Sequence, residues 1–346
     1  MSKINPSPLK SKNRNLLRID TESGISSLRP KKQGLNAAER IKVAVIGVGH
    51  LGSRHARIYK ELPNAELVAV CDTNQSQLNQ VAQELKVEPV SDFRKLFGRI
   101  EAVSIATPTV THYEVAKLFL NQKIHTLVEK PFTSNLKEAD ALIKAAEKNK
   151  LTLQVGHVER FNSAFAATQK LLKGPRFIEC HRLSPFPRRS LDVGVVLDLM
   201  IHDIDIVLGL VNSPVKKIDA VGVSVLTHFE DIANARVTFL NGCVANLTAS
   251  RVSDEWMRKI RIFLTNAYIS LDYRNEEAFI YHKKGAEISK EILPIEKEEP
   301  LKKELSSFLE CIREKKNPLV SGPVARQALL LALAIQKKIW QKPNVS

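Results

Sequence analysis

The spacing of apolar and polar positions changes near residue 160, and each half of the chain predicts a different kind of sheet. In the first half, short apolar runs alternate with stretches of helical spacing. This alternation is typical of a doubly wound α/β (Rossmann) domain with a parallel sheet. Strands are predicted near 41–46, 66–71, 101–106, 124–129 and 151–155, and helices over 50–61, 75–85, 111–121 and 135–149.

Beyond residue 160, the segments are short, rich in β-branched residues and often alternating, which indicates an antiparallel sheet. Strands are expected at 177–182, 217–228, 233–240, 244–251, 259–264, 268–272 and 278–282. One strong helix is predicted near 192–210, and two closing helices over about 298–315 and 322–340. We therefore expect a polar tail over 1–39, a parallel-sheet domain over 40–158 and a second α/β domain over 159–346.

A glycine-rich turn joins the first predicted strand to the first predicted helix. Gly47, Gly49 and Gly52 follow the pattern G-x-G-x-x-G, with His50 and Leu51 at the expected helix start. Gly47 permits a tight turn, Gly49 allows close approach of a pyrophosphate, and Gly52 lets the helix pack close to the strand. A helix N-terminus also attracts phosphate groups. This segment predicts a dinucleotide site.

Asp72 ends the second predicted strand, 20 residues after Gly52. An acid at this place accepts hydrogen bonds from ribose hydroxyls and repels a 2′-phosphate. No Arg follows within the next four residues, so NAD is favoured over NADP as the cofactor.

Composition excludes several other classes of protein. The four cysteines are widely spaced, which argues against a disulfide framework and a zinc site and suits a cytoplasmic location. The most apolar long stretch, 193–211, contains four ionisable side chains, so a membrane span is not expected. The net charge of +15 is partly due to residues 1–39, which hold eight basic and three acidic side chains. We expect this tail to be a solvated, disordered extension that binds neither nucleic acid nor membrane.

Four motifs in order give the chain a family resemblance. They are the glycine loop followed by His55, Ile105-Ala106-Thr107-Pro108 with His112, Glu129-Lys130-Pro131, and Gly194-x3-Asp198-x3-His202-x2-Asp205. From Ile41 onward the chain resembles the glucose-fructose oxidoreductase/inositol dehydrogenase (Gfo/Idh/MocA) family. The resemblance implies a Rossmann domain followed by a domain with a large open sheet that commonly packs against another subunit, as a homodimer or homotetramer.

The same resemblance implies which residues form the site. Thr107, Pro108, His112, Glu129 and Lys130 are expected to join the glycine loop and Asp72 in binding the cofactor. Relatives often carry Gly two residues after the motif aspartate, whereas this chain carries Met200, which is expected to narrow the pocket.

Lys130, Asp198 and His202 have the chemistry needed to oxidise a secondary alcohol. Asp198 and His202 are i and i+4 on the predicted helix, so both side chains project from one face. His202, with an ordinary pKa near 6.5, suits a base that takes the hydroxyl proton. Asp198 could fix its tautomer or hold a neighbouring hydroxyl, and Lys130 could stabilise alkoxide charge.

Two further segments carry candidate substrate contacts. His157 and Arg160 follow the last strand of the first domain, where they could contact substrate or act as structural hydrogen bonders. Arg188 and Arg189 lie in a Pro-rich loop, where they could clamp a diphosphate or remain a solvated pair. Together these segments resemble the nucleotide-sugar branch of the family, which implies oxidation of the 3-hydroxyl of a UDP-N-acetylhexosamine.

Three other functions stay open at this stage. The substrate could be a free polyol or inositol, or a reducible double bond as in the biliverdin-reductase branch. Outside the enzymes, the chain could be a dinucleotide-binding sensor with a silent site. The presence of Lys130, Asp198 and His202 favours an enzyme.

Overall fold

The computed structural model describes residues 40–169, 171–186, 192–285 and 287–341. The predicted tail over 1–39 and the arginine pair at 188 and 189 lie outside these residues.

The first half of the chain forms a parallel sheet covered by helices, as the alternating pattern predicts. The strand order is β3-β2-β1-β4-β5-β6, so successive strands are added on one side of β1 up to β3 and on its other side from β4 onward. In such sheets the ligand crevice lies at this change of side, outside the carboxyl ends of the strands. The strands are β1 (Ile41–Ile46), β2 (Ala65–Cys71), β3 (Glu88–Val90), β4 (Ala102–Ile105), β5 (His125–Glu129) and β6 (Leu153–Gly156), and the helices are α1 (His50–Glu61), α2 (Gln75–Leu85), α3 (Thr109–Asn121) and α4 (Leu136–Asn149).

The second half forms an eight-stranded sheet in the order β14-β13-β12-β11-β7-β10-β9-β8. Its pairs are antiparallel except β7 with β10, so the mostly antiparallel prediction is confirmed. The strands are β7 (Phe177–Leu183), β8 (Val215–Val223), β9 (Ile232–Phe239), β10 (Val244–Ser250), β11 (Met257–Phe263), β12 (Ala267–Asp272), β13 (Glu277–Lys284) and β14 (Glu287–Ile292), and the helices are α5 (Ser163–Gln169), α6 (Ile201–Val211), α7 (Pro300–Glu314) and α8 (Gly322–Trp340).

Two strands and one α-helix were not predicted because their sequences carry little periodic signal. β3 contains Pro89 and still forms a strand because it lies at the edge of the sheet, where a missing N–H donor is tolerated. β14 is an edge strand of the second sheet and is largely exposed. Helix α5 spans only 7 residues, fewer than hydrophobic periodicity can distinguish from a loop.

The single helix expected near 192–210 is interrupted. A π-helical turn spans Val196–Met200, and α6 begins at Ile201. π-turns are rare and occur frequently at functional sites. Met200 is fully buried in the apolar core, and its expected effect on the pocket stays a prediction.

Apolar packing joins the two sheets through the helices between them. Ile204 of α6, Leu329 of α8 and Leu247 of β10 belong to the same core cluster as Val103 and Val128 of the parallel sheet. Helix α7 returns to the first half of the chain, where Leu305 and Phe308 share a second apolar cluster with Ile58 of α1. The last part of the chain thus packs on the first half. The predicted domain boundary at 158/159 stays a prediction.

Candidate functional site

The glycine loop has the shape that its sequence predicts. Gly47 has φ +81°, and a Cβ atom built on it would lie 2.7 Å from the Ala106 carbonyl oxygen. A Cβ atom at Gly52 would overlap the Gly47 carbonyl oxygen, whereas one at Gly49 would meet nothing within 4 Å. The loop is therefore closed on the strand side and open in front of Gly49, where α1 begins. An open face beside a helix N-terminus fits the pyrophosphate of a dinucleotide, and the contact of His50 and Leu51 with it stays a prediction.

Asp72 closes the neighbouring end of the crevice. Its Oδ2 accepts a hydrogen bond from the Val48 N–H at 2.7 Å, and its Oδ1 accepts one from the Asn74 N–H at 2.8 Å. These bonds hold the glycine loop against the end of β2. A carboxylate has about four acceptor sites, so capacity remains for ribose hydroxyls.

His112 joins two loops of the crevice. Its buried ring places Nε2 2.8 Å from the carbonyl oxygen of Thr107 and Nδ1 2.9 Å from that of Pro131. Burial lowers the pKa of His112. These contacts are with backbone, so His112 positions the segments that carry Pro108 and Lys130, and its predicted contact with cofactor stays a prediction.

Glu129 and His55 form a buried layer behind Lys130. His55 Nε2 lies 3.0 Å from Glu129 Oε1, and His55 Nδ1 lies 2.8 Å from the hydroxyl of Ser104. Glu129 Oε2 accepts a hydrogen bond from the backbone N–H of Lys130 at 3.1 Å. This layer orients the end of β5 from which the Lys130 side chain projects.

Lys130 meets Asp198 across the crevice. Lys130 Nζ donates to Asp198 Oδ1 at 2.8 Å and to the Asp198 carbonyl oxygen at 2.6 Å. The two side chains are 17% and 13% exposed, respectively. The predicted pair is thus brought together from residues 68 positions apart, and the carboxylate of Asp198 is engaged by Lys130, not by the His202 ring.

His202 and His157 lie next to each other with unpartnered nitrogens. Their ring centroids are 6.2 Å apart and their planes nearly perpendicular, at 83°. His202 Nδ1 and both ring nitrogens of His157 are buried and make no hydrogen bond. Buried polar groups without partners cost about 1–3 kcal/mol each, so three such nitrogens at one place single out these two rings as candidates for contact with a ligand.

The pKa of His202 lies well below its ordinary value, contrary to the unperturbed value assumed from the sequence. Burial is the main cause, and the positive charges of Lys130 and Arg182 add to it. His202 is therefore neutral at physiological pH, the state in which imidazole can accept a proton.

Arg160 is engaged in a structural ion pair. Its Nε donates to Asp205 Oδ2 at 2.6 Å and its Nη2 to the Asp205 carbonyl oxygen at 2.7 Å. Its guanidinium also packs against Gly209, where a Cβ atom would overlap it. The interpretation of Arg160 as a structural hydrogen bonder describes these contacts. Its substrate contact stays a prediction, as do those of Arg188 and Arg189 outside the described residues.

A second buried charge cluster was not found from the sequence. Arg182 donates to both carboxylate oxygens of Asp203 at 3.0 and 2.8 Å, and to Glu159 Oε1 at 2.9 Å. The available signal was the alternation in β7, where Arg182 occupies the same face as the buried Ile178 and Cys180. A charged residue at an inward position of a strand requires a buried partner.

The part of the chain that the structure describes contains neither a membrane-spanning helix nor a cluster of metal ligands. No helix there is both long and apolar enough to cross a membrane. Within the same residues, no three His, Cys, Asp or Glu side chains come together as a metal site.

Comparison with known proteins agrees with this geometry. Residues 41–157 match the model of an oxidoreductase family with an NAD-binding Rossmann fold, and residues 155–270 match the GFO/IDH/MocA C-terminal domain.

Several relatives extend over most of the chain, among them the following two. UDP-N-acetylglucosamine 3-dehydrogenase of Acidithiobacillus ferrooxidans is 38% identical over 303 residues, covering 86% of this chain and 96% of that protein. Its solved structure superimposes with a TM-score of 0.83 over 87% of this chain and 98% of that one. Myo-inositol 2-dehydrogenase of Thermotoga maritima is 26% identical, covering 88% of this chain and 98% of that protein.

Proposed function

The chain belongs to the Gfo/Idh/MocA family of NAD-binding oxidoreductases, and from this premise we propose that it oxidises the 3-hydroxyl of a UDP-N-acetylhexosamine. One observation carries the proposal. Lys130 and Asp198 meet beside His202, whose buried Nδ1 has no partner, at the carboxyl edge of the parallel sheet. This edge is where a dinucleotide held by the glycine loop presents its reactive ring.

Each of the three side chains has a role in removing the hydroxyl proton. The neutral imidazole of His202 accepts the proton of the substrate hydroxyl. The ammonium of Lys130 stabilises the negative charge that develops on the same oxygen, in a site with little water. Asp198 holds Lys130 in place through two hydrogen bonds. The bound nicotinamide cofactor supplies the acceptor for the hydride that leaves the carbon.

We propose NAD as the cofactor, on the strength of Asp72. Its carboxylate stands at the end of β2, and a 2′-phosphate there would add a second negative charge close by. The first four residues after it, 73–76, contain no Arg or Lys that would compensate.

The proposed substrate follows from the relative with the higher identity. The A. ferrooxidans protein is named for UDP-N-acetylglucosamine, while the T. maritima protein is named for myo-inositol. A free inositol is therefore the second candidate, and both alcohols would use the same three side chains.

The test is a dehydrogenase assay read at the absorbance of NADH. With NAD, we expect turnover of UDP-N-acetylglucosamine and little with free N-acetylglucosamine or myo-inositol. Turnover of myo-inositol alone would replace the proposed substrate. Failure of all substrates with both cofactors would favour a sensor over an enzyme.

Single-turnover measurements on variants test the assigned roles. His202→Ala should slow NADH formation by about 10²–10⁴-fold across pH 6 to 9, because a general base is lost. Lys130→Ala should be comparably slow, and Lys130→Arg should not restore the rate because a guanidinium has a different shape and does not give up a proton. NAD affinity should stay nearly constant in His202→Ala. The exposed His228→Ala is the control, and a normal rate in His202→Ala would show that another group is the base.

A further inference from the structure

A row of cationic and aromatic side chains begins at Arg182 and Arg258 on the inner face of the second sheet and continues to Trp256 and Arg274, which lie just outside the strands. Arg182 of β7 and Arg258 of β11 are directly opposite each other in the strand register. Trp256 precedes Arg258 by two residues and lies just before β11, which begins at Met257. Arg274 follows β12, and its guanidinium carbon lies 5.7 Å from the centre of the Trp256 ring.

The charges in this row are not balanced. Arg182 has two carboxylate partners, Asp203 and Glu159. The ion pair that the described residues offer Arg258 is a distant one, with Nη1 4.0 Å from Glu159 Oε1, an oxygen already bound by Arg182. Burial and the charge of Arg182 lower the pKa of Arg258. Its side chain is 42% exposed, and no carboxylate of the described residues lies closer to it than the 4.0 Å contact with Glu159. Such a cation is stabilised by an anionic ligand.

The row begins at the proposed catalytic residues and ends at solvent. Arg258 contributes to the lowered pKa of His202, and Asp203, next to His202 in the chain, binds Arg182. At the other end Trp256 is 51% exposed. Between them, the backbone N–H of Tyr273 donates to the Arg258 carbonyl oxygen at 2.9 Å, while the buried Tyr273 hydroxyl has no partner. Arg258 thus lies between the surroundings of His202, whose pKa its charge affects, and the exposed Trp256 two residues before it in the chain.

We propose that Arg258, Arg274 and Trp256 form the subsite for the nucleoside diphosphate of a nucleotide-sugar substrate. Arg258 and Arg274 bind the diphosphate, and the exposed face of Trp256 stacks on the base. Guanidinium groups match phosphate oxygens in geometry and charge. Stacking of a base on an indole ring does not depend on the hydrogen-bonding groups of the base. This subsite rests on the proposed function, since it names the residues that would distinguish a nucleotide-sugar from a free sugar.

Tryptophan fluorescence reports the proposed stacking directly. The chain has two tryptophans, so the full-length Trp340→Phe variant leaves Trp256 as the sole reporter. UDP, added with saturating NAD to block the dinucleotide site, should quench this emission. Calorimetry with UDP should then show a Kd raised about 10- to 100-fold in Arg258→Gln. Arg274→Gln and Trp256→Leu should weaken binding about fivefold or more.

Arg261→Gln is the matched control, because Arg261 is on the same strand but its side chain points to the opposite face, toward Glu179. It should bind UDP normally, and NAD affinity should not change in any variant. The KM for UDP-N-acetylglucosamine should rise in parallel with the Kd for UDP.

The outcomes separate this subsite from the proposed function. If the unmodified enzyme oxidises UDP-N-acetylglucosamine but UDP binds all three variants within about twofold of normal, the subsite is wrong and the function stands. If Arg261→Gln loses UDP affinity instead, the nucleotide binds on the outer face of the sheet, and the proposed subsite is wrong in that case as well. If UDP does not bind and only myo-inositol is oxidised, the proposed substrate fails and the subsite with it.

Discussion

His202 and His157 show how burial sets the chemistry of individual side chains. Burial is the largest cause of the lowered pKa of both rings, and the positive charge of Lys130 adds to it in each case. Carboxylates partly offset this for His157, which is near Asp205 and Glu129. Both imidazoles are therefore neutral at neutral pH and bring no further positive charge to the surroundings of Lys130.

At Asp72, we expect a substitution to change cofactor preference. Asp72→Ala should raise the Kd for NAD about tenfold, because an acceptor for the ribose hydroxyls is lost, and should weaken NADP less. Calorimetry with both cofactors measures the ratio, and the exposed Glu84→Ala on α2 is the control. Tighter binding of NADP than NAD by the unmodified protein would contradict the assignment.

Helix α1 depends on two glycines for different reasons. In Gly52→Ala, the added methyl would overlap the Gly47 carbonyl oxygen and lie 3.3 Å from the Ala106 Cβ. We expect the helix to shift from the strand and unfolding to become easier by about 1–3 kcal/mol. Gly49→Ala meets no neighbour, so its stability should stay within about 1 kcal/mol while NAD affinity falls.

Denaturant melts and calorimetry on these two variants distinguish the roles. We expect the free energy of unfolding to fall in Gly52→Ala, and only the NAD affinity to fall in Gly49→Ala. Equal loss of stability in both would show that the loop is not open in front of Gly49.

Helix α7 carries a buried acid, Glu304, into the first half of the chain. Neither carboxylate oxygen has a partner in the described structure, and the nearby hydroxyl of Tyr59 and Oε1 of Gln154 are also unpartnered. Burial, followed by the charge of Glu129, raises the pKa of Glu304 well above its usual range. Glu304 is therefore protonated in the folded protein at pH values where the unfolded chain has already lost this proton.

Glu304→Gln should make the protein more stable, and the gain should grow with pH. A raised folded pKa contributes stability that is complete below about pH 4.5 and declines as pH rises toward the folded pKa. Gln does not ionise, so the variant should gain up to about 1.4 kcal/mol per pH unit in that interval. Urea unfolding at pH 5, 6.5 and 8 measures the difference. A pH-independent difference would mean that Glu304 has the same pKa folded and unfolded.

For the whole molecule, buried histidines determine the response to acid. Burial lowers the pKa of His112, His125, His157 and His202. The unfolded chain binds protons at these sites near pH 6.5 and the folded protein does not, so stability is full above pH 6.5 and is lost as pH falls. Glu304 acts in the opposite direction between about pH 4.5 and its folded pKa.

The free energy of unfolding should therefore decrease from pH 7 to pH 5. Four histidines lower it as pH falls and one carboxyl group raises it, so the slope is at most about 4 kcal/mol per pH unit. Urea unfolding across this range measures the slope. His125→Asn lies outside the site and should reduce the slope, while the exposed His228→Asn should leave it unchanged. Constant or rising stability from pH 7 to pH 5 would contradict this account.

Assembly through the second sheet stays a prediction. The outer face of this sheet carries a row of aromatic rings from four strands, namely Phe177, Phe263, Tyr268 and Tyr281. The last two rings are stacked with centroids 4.2 Å apart. Aromatic side chains are enriched in subunit interfaces, so a row of packed rings of this kind suits one.

The order of elements, the two kinds of sheet and the glycine loop could be predicted from the sequence alone. Each depends on residues close together in the chain: strand and helix periods, the left-handed conformation at Gly47, and the helix start after Gly49. The intervals between the four motifs were equally informative, because four such motifs in this order are specific to one family. Elements without periodicity, such as β3 with its proline, gave no such signal.

The tertiary structure alone decided which side chains share a buried volume. It engaged Asp198 with Lys130 instead of His202, placed His157 beside His202, and paired Arg182 with Asp203 and Glu159. These partners come from different strands and helices, so no local pattern specifies them. Their pKa values likewise depend on removal from water and on charges from distant parts of the chain, and only the folded protein brings these together.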